Sequence, residues 1–214
     1  MDYALLTKMG TFVEMHQTNT GIVCMMNGEI QSALSDEYIY HYDLVSKAMA
    51  LSPKTVCIFG GGEGATAREV LKHNCVKSVD MIDWDKEVVD LFRDHYPQWA
   101  KGAWQDPRLS IRYKNAFTYC RQWKQYDTVI VDLFEPDNLG EWLTFIDSIS
   151  RWVGKSIAIY VGTTTNPNDK PSNIVEKSLQ MLRKNDIWAS RHCTYVPSFG
   201  EYAIFITGIK ELHM

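Results

Sequence analysis

The chain has 214 residues, of which 45% are hydrophobic and 22% are charged, and its formal net charge at pH 7 is −4. This length and composition predict a soluble protein with one well-buried domain and at most a small appendage. The slight acidic excess gives no reason to expect nucleic acid or an acidic membrane surface as a partner, and it is compatible with a cationic substrate.

The sequence shows no sign of export or of a membrane span. No apolar run approaches the roughly 20 residues that cross a bilayer, and Asp2, Lys8 and Glu14 interrupt the N-terminal apolar residues in a way that is untypical of a signal peptide. The five cysteines are scattered and form no CxxC pair. We therefore expect reduced thiols in a cytoplasmic protein, with neither a disulfide framework nor a zinc site.

Residues 10–34 lack helical periodicity and predict short antiparallel strands. Phe12–Met15 and Gly21–Met26 are strand-like and flank a polar turn, and Asn27-Gly28 marks a second tight turn before Glu29–Ala33. We predict a small β-hairpin module over residues 1–35. Two roles stay open for this module. It is either a structural addition, as an edge decoration or an oligomer contact, or a part of the substrate site.

Residues 36–50 predict a helix that Ser35 or Asp36 caps and that Ser52-Pro53 ends. Three tyrosines and a histidine crowd together on this segment. Because aromatic stripes on helices usually belong to the core, the cluster alone does not indicate a site.

The segment over residues 55–73 is the one around which the chain is organised. An apolar strand, Val56–Phe59, leads into four glycines, and strong helix formers follow from Ala65. Strand, glycine turn and helix form the opening of a nucleotide-binding βαβ unit, in which glycines let the backbone approach the ligand. Glu63 lies inside this turn, where its carboxylate would repel a pyrophosphate and attract a cation.

Strands and helices alternate through the remaining chain. Strands are predicted at residues 78–83, 109–113, 127–132 and 156–161, and helices at 86–95, from 115, at 139–153 and at 172–184. Two strand-like segments, residues 189–196 and 202–207, close the chain through a turn. The pattern predicts an α/β fold with a mainly parallel, doubly wound sheet and a final antiparallel pair.

Ligands of such sheets bind beyond the carboxyl ends of the strands. The polar groups predicted at this edge are Glu63, Asp83, Asn115, Asp132 and Glu135. Four of these five are acidic, which suits a ligand that carries positive charge and a nucleoside. Asp83 lies about 20 positions past the glycines, where such folds place the carboxylate that binds ribose hydroxyls, whereas Asp85 is better explained as a helix N-cap.

Six stretches of the chain resemble the spermidine synthase family, the polyamine aminopropyltransferases. The glycine segment, with its Gly-Gly-Gly-Glu-Gly-Ala-Thr-Ala-Arg-Glu run, is most similar to the thermospermine synthase branch. The stretches run in family order and are Asn27–Gln31, Asp36–His41, Gly60–His73, Gly102–Arg108, Tyr126–Pro136 and Tyr195–Gly200. The resemblance implies a Rossmann-like, methyltransferase-type doubly wound sheet over residues 36–214, preceded by the small N-terminal β-hairpin module.

The resemblance also implies ligands and partners. The co-substrate would be decarboxylated S-adenosylmethionine, no metal would be needed, and the acceptor would be a small cationic polyamine such as putrescine or spermidine. A homodimer or homotetramer is implied as well.

Residue by residue, the resemblance implies the following roles. The cofactor-binding glycines would be Gly60, Gly62 and Gly64. Gln31 and Asp83 would hold the nucleoside, and Asn115-Ala116 would face the adenine amino group. The aminopropyl amine would contact His41 and Glu63. The catalytic residues, which bind and deprotonate the attacking amine, would be Tyr40, Asp132 and Glu135.

Elementary chemistry supports this assignment. A polyamine nitrogen has a pKa of about 10, so it arrives protonated and without a lone pair for attack. The site must remove that proton and align the nitrogen with the carbon–sulfur bond, and good positioning alone supplies roughly 7 to 11 kcal/mol. Glu63 would repel the carboxylate of intact S-adenosylmethionine.

Three positions depart from the family pattern: Glu135 and Asn115 each stand where Asp is usual, and Tyr42 stands where Glu is usual. Two alternatives therefore stay open. One is a methyltransferase that uses intact S-adenosylmethionine on an amine. The other is a non-catalytic relative that binds nucleosides or forms oligomers. Dinucleotide binding is disfavoured by Glu63 and by the acids at positions 132 and 135.

Overall fold

The computed structural model describes residues 3–134 and 137–211. Of the predicted catalytic residues, Glu135 lies outside the described residues. None of the helices in the described ranges has the length and apolar character needed to cross a bilayer.

The N-terminal strands form a four-stranded antiparallel sheet in the order β1-β2-β3-β4. They are β1 (Tyr3–Leu6), β2 (Phe12–Thr18), β3 (Gly21–Met26) and β4 (Glu29–Ala33). The hairpins and both turns are confirmed, and Asn27 and Gly28 adopt the positive φ angles of 53° and 85° that a tight hairpin turn requires. The sequence analysis missed β1, a short and mostly exposed edge strand.

The central sheet has seven strands in the order β10-β11-β9-β8-β5-β6-β7. Their bounds are β5 (Thr55–Gly60), β6 (Ser78–Asp83), β7 (Leu109–Tyr113), β8 (Tyr126–Asp132), β9 (Val153–Thr164), β10 (Ile187–Val196) and β11 (Glu201–Lys210). The five adjacent strands β9, β8, β5, β6 and β7 are parallel to one another. β11 runs antiparallel to both of its neighbours, β9 and β10. The predicted doubly wound α/β sheet with a final antiparallel pair is therefore confirmed.

Helices cover both faces of this sheet. They are α1 (Glu37–Ser46), α2 (Ala65–Leu71), α3 (Lys86–Asp94), α4 (Ala116–Tyr119), α5 (Leu139–Ser150) and α6 (Asn173–Lys184). Successive side chains of β5 point to opposite faces of the sheet and pack against different helices. Cys57 and Phe59 pack with α4, α5 and α6, whereas Val56 and Ile58 pack with α1 and α2.

Several local predictions need correction. The predicted helix over residues 36–50 ends at Ser46, and a short 3-10 helix, Ala48–Leu51, follows it. Within the described part of the chain, the Asp36 carboxylate accepts the backbone N–H of Ser198 (2.6 Å) rather than capping α1. The predicted helix over residues 139–153 ends at Ser150, so β9 begins three residues earlier than expected. The N-cap role of Asp85 is confirmed.

The strands of the N-terminal sheet all precede residue 35 in the chain, and those of the central sheet all follow it. A hydrogen bond from Trp99 Nε1 to Ser32 Oγ (2.9 Å) joins the second part of the chain to β4. A third apolar cluster packs the inner face of the N-terminal sheet, including Val13 and Met15, against Phe92 and Trp99. The division into a module of residues 1–35 and a domain of residues 36–214 stays a prediction.

Candidate active site

The glycine turn brings the ends of three strands together. Gly60 is paired with Asp132 across β5 and β8, and a Cβ at Gly60 would lie 1.9 Å from the Asp132 carbonyl oxygen. Its φ of 84° also favours glycine. A Cβ at Gly62 would lie 2.9 Å from an Asp83 carboxylate oxygen, and one at Gly64 would overlap the Trp104 ring. The glycines therefore leave room for two strand-end acids and for the loop that covers α2.

Asp132 is held by two hydroxyl donors. Tyr40 donates to Asp132 Oδ1 at 2.8 Å, and Thr66 donates to Oδ2. The Tyr40 ring packs edge-on against Tyr160 and Phe205, with centroids 5.4 Å and 5.1 Å away. Burial, together with the neighbouring Asp132 charge, raises the pKa of Tyr40 well above its usual range. Tyr40 thus stays a phenol that donates to the carboxylate.

Glu63 projects from the glycine turn into a nearly enclosed position. Its side chain is 13% exposed, and Oε1 accepts a hydrogen bond of 2.8 Å from Ser32. The second oxygen, Oε2, is buried and has no hydrogen-bond partner in residues 3–134 and 137–211. Burial raises the pKa of Glu63 to about 7, against the opposing effects of His41 and of the Ser32 hydrogen bond.

His41 lies opposite Glu63 on α1. Its Nε2 is 3.8 Å from Glu63 Oε2, and its Nδ1 contacts the Glu37 backbone oxygen (2.7 Å) and the Glu37 carboxylate (3.0 Å). Burial alone would lower the pKa of His41, but the Glu37 hydrogen bond and the charges of Asp132 and Glu63 outweigh it and raise that pKa.

A buried ion pair supports His41 from behind. Arg68 on α2 donates to both oxygens of Glu37 at 2.8 Å. Arg68 also donates to Glu69 and to the Trp99 carbonyl oxygen. Burial opposes ionisation of Glu37, yet the hydrogen bonds from His41 and Arg68 lower its pKa to about 2. Glu37 is therefore a fixed negative charge beneath the imidazole.

Asp83 ends β6 beside the glycine turn. Its Oδ1 accepts the backbone N–H of Asp85 at 2.9 Å. Burial raises the pKa of Asp83 to about 6, despite backbone hydrogen bonds from Asp85 and Gly62 that lower it. At neutral pH this side chain offers carboxylate oxygens at the place where the sequence predicted a ribose contact.

Asn115 lies two residues past β7 and is engaged as a helix N-cap. Asn115 is exposed, and its Oδ1 accepts the backbone N–H groups of Phe117 (2.9 Å) and Thr118 (3.2 Å), so it caps α4. Its neighbour Ala116 is buried in the core. The oxygen that the sequence analysis offered to an adenine amino group is engaged in this cap, which leaves the side-chain amide as a donor.

Gln31, on β4, lines one crevice together with Tyr40, His41 and Phe199. The structure thus gathers the predicted residues of β4, α1 and the glycine turn, along with Asp83 and Asp132. Sequence reasoning missed the residues that hold them, which are Ser32, Glu37, Thr66, Arg68 and Trp99. The signal lies in the structure: α2 is buried at all seven positions yet contains Arg68 and Glu69, and buried charges require partners.

The assembled groups suit a cation that also carries hydroxyl groups. Acidic oxygens of Glu63, Asp83 and Asp132 lie around the glycine turn, and hydroxyl and backbone N–H groups donate hydrogen bonds to them. No group of three or more side chains placed to hold a metal ion occurs in the part of the chain that the structure describes.

Comparison with known proteins gives a consistent match. The family model described as the spermine/spermidine synthase domain matches residues 33–213. The polyamine aminopropyltransferase of Pyrobaculum calidifontis is 35% identical over 199 residues, which cover 88% of this chain and 68% of that protein. Polyamine aminopropyltransferase 1 of Hyperthermus butylicus is 45% identical over 122 residues, which cover 54% of this chain and 42% of that protein.

The chain spans only part of these relatives. The match covers 42% of the Hyperthermus butylicus protein and 40% of the Aeropyrum pernix polyamine aminopropyltransferase.

Solved structures show the same fold. A spermidine synthase in complex with the transition-state analogue AdoDATO superposes with a TM-score of 0.86 at 22% identity, covering 99% of this chain and 74% of that one. The spermidine synthase of Thermotoga maritima gives a TM-score of 0.83 at 22% identity, covering 99% and 72%. At this identity the likeness concerns the fold alone.

Proposed function

This chain belongs to the spermine/spermidine synthase family, and we propose that it transfers an aminopropyl group from decarboxylated S-adenosylmethionine to an amine such as putrescine or spermidine. The observation that carries the proposal is Glu63 Oε2, a buried carboxylate oxygen with no hydrogen-bond partner in the described residues, beside a nucleotide-type glycine turn. A buried acceptor of this kind is costly unless a ligand pairs with it. A primary ammonium has the charge and the donors to do so.

On the co-substrate side, Asp83 and Gln31 hold the nucleoside, and Glu63 and His41 receive the aminopropyl ammonium. Asp83 would accept hydrogen bonds from the ribose hydroxyls, as strand-end acids do in nucleotide-binding sheets. Intact S-adenosylmethionine carries a carboxylate where the decarboxylated form has only the ammonium, so Glu63 selects the decarboxylated form by charge repulsion.

On the acceptor side, Tyr40 and Asp132 prepare the nucleophile. Asp132 accepts a proton from the protonated amine, and the two hydroxyl donors on its oxygens keep the carboxylate in one orientation. The freed lone pair attacks the carbon next to the sulfonium. A carbon–nitrogen bond forms as the carbon–sulfur bond breaks, and methylthioadenosine leaves as a neutral thioether. In this proposal Glu135 assists the same proton transfer.

A location and an assembly state belong to the same proposal. We expect a cytoplasmic protein that binds neither nucleic acid nor membranes and that forms a homodimer or homotetramer. The exposed apolar side chains of the N-terminal sheet support self-association, among them Leu6, Phe12 and Ile30.

Calorimetry with the two forms of the co-substrate tests the proposal. We expect decarboxylated S-adenosylmethionine to bind at least tenfold more tightly than intact S-adenosylmethionine, and Glu63→Gln to reduce that ratio. Formation of spermidine from putrescine, or of a longer polyamine from spermidine, completes the test. Preference for the intact form together with methyl transfer would overturn aminopropyl transfer, and binding of neither nucleoside would overturn both enzymatic alternatives.

A further inference from the structure

A third residue, Trp99, orients the Ser32 hydroxyl that bonds to Glu63. Ser32 Oγ is 2.9 Å from Trp99 Nε1 and 2.8 Å from Glu63 Oε1. An indole N–H can only donate, so the serine oxygen accepts from Trp99 and its own proton is left for Glu63. A hydroxyl proton donated to Glu63 Oε1 favours the carboxylate form and lowers the pKa of Glu63.

The tautomer of His41 is determined in the same way. Its Nδ1 lies 2.7 Å from the Glu37 backbone oxygen, which can only accept, so Nδ1 carries a proton. The bidentate contact of Arg68 keeps the Glu37 carboxylate against the same nitrogen. Only Nε2 of His41 is left to gain or lose a proton, and it faces Glu63.

The two facing atoms are too far apart to satisfy one another. His41 Nε2 and Glu63 Oε2 are 3.8 Å apart, beyond the reach of a good hydrogen bond. When neither atom carries a proton, both are acceptors that face the same gap. An ammonium nitrogen that bridges the gap would donate one N–H to each of them. When no ligand is bound, a proton on either atom offsets the buried negative charge of the Glu63 carboxylate.

The proposed function already assigns the aminopropyl ammonium to His41 and Glu63; we propose that its binding between Nε2 and Oε2 expels a proton that the empty pair holds, with Ser32 and the Glu37–Arg68 pair as the positioning residues. The inference rests on the proposed function for the source of the ammonium. The expelled proton goes to solvent or buffer, and no bond other than the N–H or O–H bond of the pair is broken.

The surrounding charges support the exchange. The titratable groups that interact with the pair from the packed elements are Cys24 on β3, Glu37 and Tyr40 on α1 and Asp132 on β8, and Arg68 on α2 acts through Glu37. Burial raises the pKa of Glu63 to about 7, and acidic neighbours raise that of His41 against the effect of burial. A bound cation lowers both pKa values, because it repels a proton on either group.

The linkage has a defined sign. Since the empty pair binds more protons than the occupied pair, affinity for the cationic co-substrate rises with pH through the titration of the pair. The increase is about tenfold per pH unit for each proton released. The ammonium itself keeps its proton over this range, because its pKa is about 10.

Calorimetry in phosphate and in Tris at pH 7 tests the inference directly. The two buffers differ in ionisation enthalpy, so the difference between the apparent binding enthalpies counts the protons released. We expect net release with decarboxylated S-adenosylmethionine and none with methylthioadenosine, which has the same nucleoside without the amine. Glu63→Gln should reduce the release.

Ser32 variants provide a readout that a merely structural role would not change. Removing the hydroxyl donor in Ser32→Ala raises the pKa of Glu63, so the pH at which affinity rises should move upward and the number of protons released at pH 7 should increase. Ser32→Thr retains the hydroxyl and should restore the profile of the parent protein.

Equal enthalpies in the two buffers with decarboxylated S-adenosylmethionine would overturn the inference and leave the proposed function standing. An unshifted pH profile for Ser32→Ala would remove Ser32 as a positioning residue. If neither nucleoside binds at any pH, the proposed function fails, and this inference fails with it.

Discussion

Tyr40 donates a hydrogen bond of 2.8 Å to Asp132, although 92 positions separate the two residues in the chain. The contact joins the first helix to the end of β8, and it fixes the acid at the edge of the sheet where the glycine turn opens. One hydrogen bond thus couples the residues to which we assign acceptor binding and proton removal.

Replacing Asp132 with asparagine should abolish proton removal and leave the nucleoside site intact. We expect kcat/KM for the acceptor amine to fall by about 100-fold or more, as is typical when a general base is lost. Methylthioadenosine affinity, measured by calorimetry, should stay within about twofold. Glu176→Gln, which changes an exposed carboxylate on α6, is the matched control and should retain full activity. Unchanged turnover in Asp132→Asn would remove Asp132 as the proton acceptor.

The buried state of Glu63 predicts a pH dependence of stability. Its pKa rises from 4.5 to about 7 on folding, so between these values the folded chain holds a proton that the unfolded chain has released. The free energy of unfolding should therefore decrease as pH rises from about 5 to about 7.5. Glu63→Gln should flatten this part of the profile and be more stable than the parent at pH 8 by roughly 1 to 3 kcal/mol.

Urea unfolding at pH 5.5 and pH 8 measures this difference. Glu14→Gln, in the N-terminal sheet, serves as the control that should leave the slope unchanged. A Glu63→Gln protein with the same pH slope as the parent would mean that Glu63 titrates normally.

Removing Arg68 should destabilise the protein because it leaves Glu37 buried and without its bidentate partner. We expect Arg68→Leu to lower the free energy of unfolding by about 3 to 5 kcal/mol, the usual cost of breaking a buried ion pair from one side. Arg68→Lys should lose less of the free energy of unfolding than Arg68→Leu but should still be less stable than the parent, because an ammonium cannot make the two parallel hydrogen bonds of a guanidinium.

The control for Arg68 is its exposed neighbour at the end of α2. Lys72 forms an ion pair with Glu69 at 2.6 Å, yet its side chain is 60% exposed. Lys72→Ala should therefore cost less than about 1 kcal/mol. If the two variants were equally stable in denaturant titrations, the buried pair would have no special role.

Asn115→Asp should strengthen nucleoside binding if the residue faces an adenine amino group. One oxygen of the new carboxylate can keep the cap on α4 while the other accepts from the base, whereas the present amide can only donate on that side. We expect a severalfold lower Kd for methylthioadenosine. Asn115→Ala should instead cost about 1 kcal/mol of stability through the lost cap. Identical affinities of the parent and the Asn115→Asp variant would place the base elsewhere.

Local signals determined the regular elements. The bounds of β6 and β7 agree with those predicted, because both strands are apolar runs between turn residues. The Asp85 cap was predictable for the same reason, since its two acceptor contacts are with the backbone of the next three residues.

Elements that depend on pairing were not predictable from local sequence. β1 exists because it pairs with β2, and β9 extends to Thr164 because β11 pairs with it there. Neither β1 nor the end of β9 shows a distinct period in its hydrophobic residues. α1 ends early for a similar reason: the chain turns into the 3-10 helix so that Ala48 can pack in the core, where its carbonyl oxygen accepts from Ser156.

The sequence by itself determined the strand-end acids, the glycine turn and the family to which they point, because each lies in a short contiguous stretch. Only the tertiary structure decided how those acids are held. Ser32 bonds to Glu63 across 31 positions, Trp99 bonds to Ser32 across 67, and Arg68 bonds to Glu37 across 31. Buried polar groups must find partners wherever the fold brings donors and acceptors together, and such pairing leaves no periodic trace in the sequence.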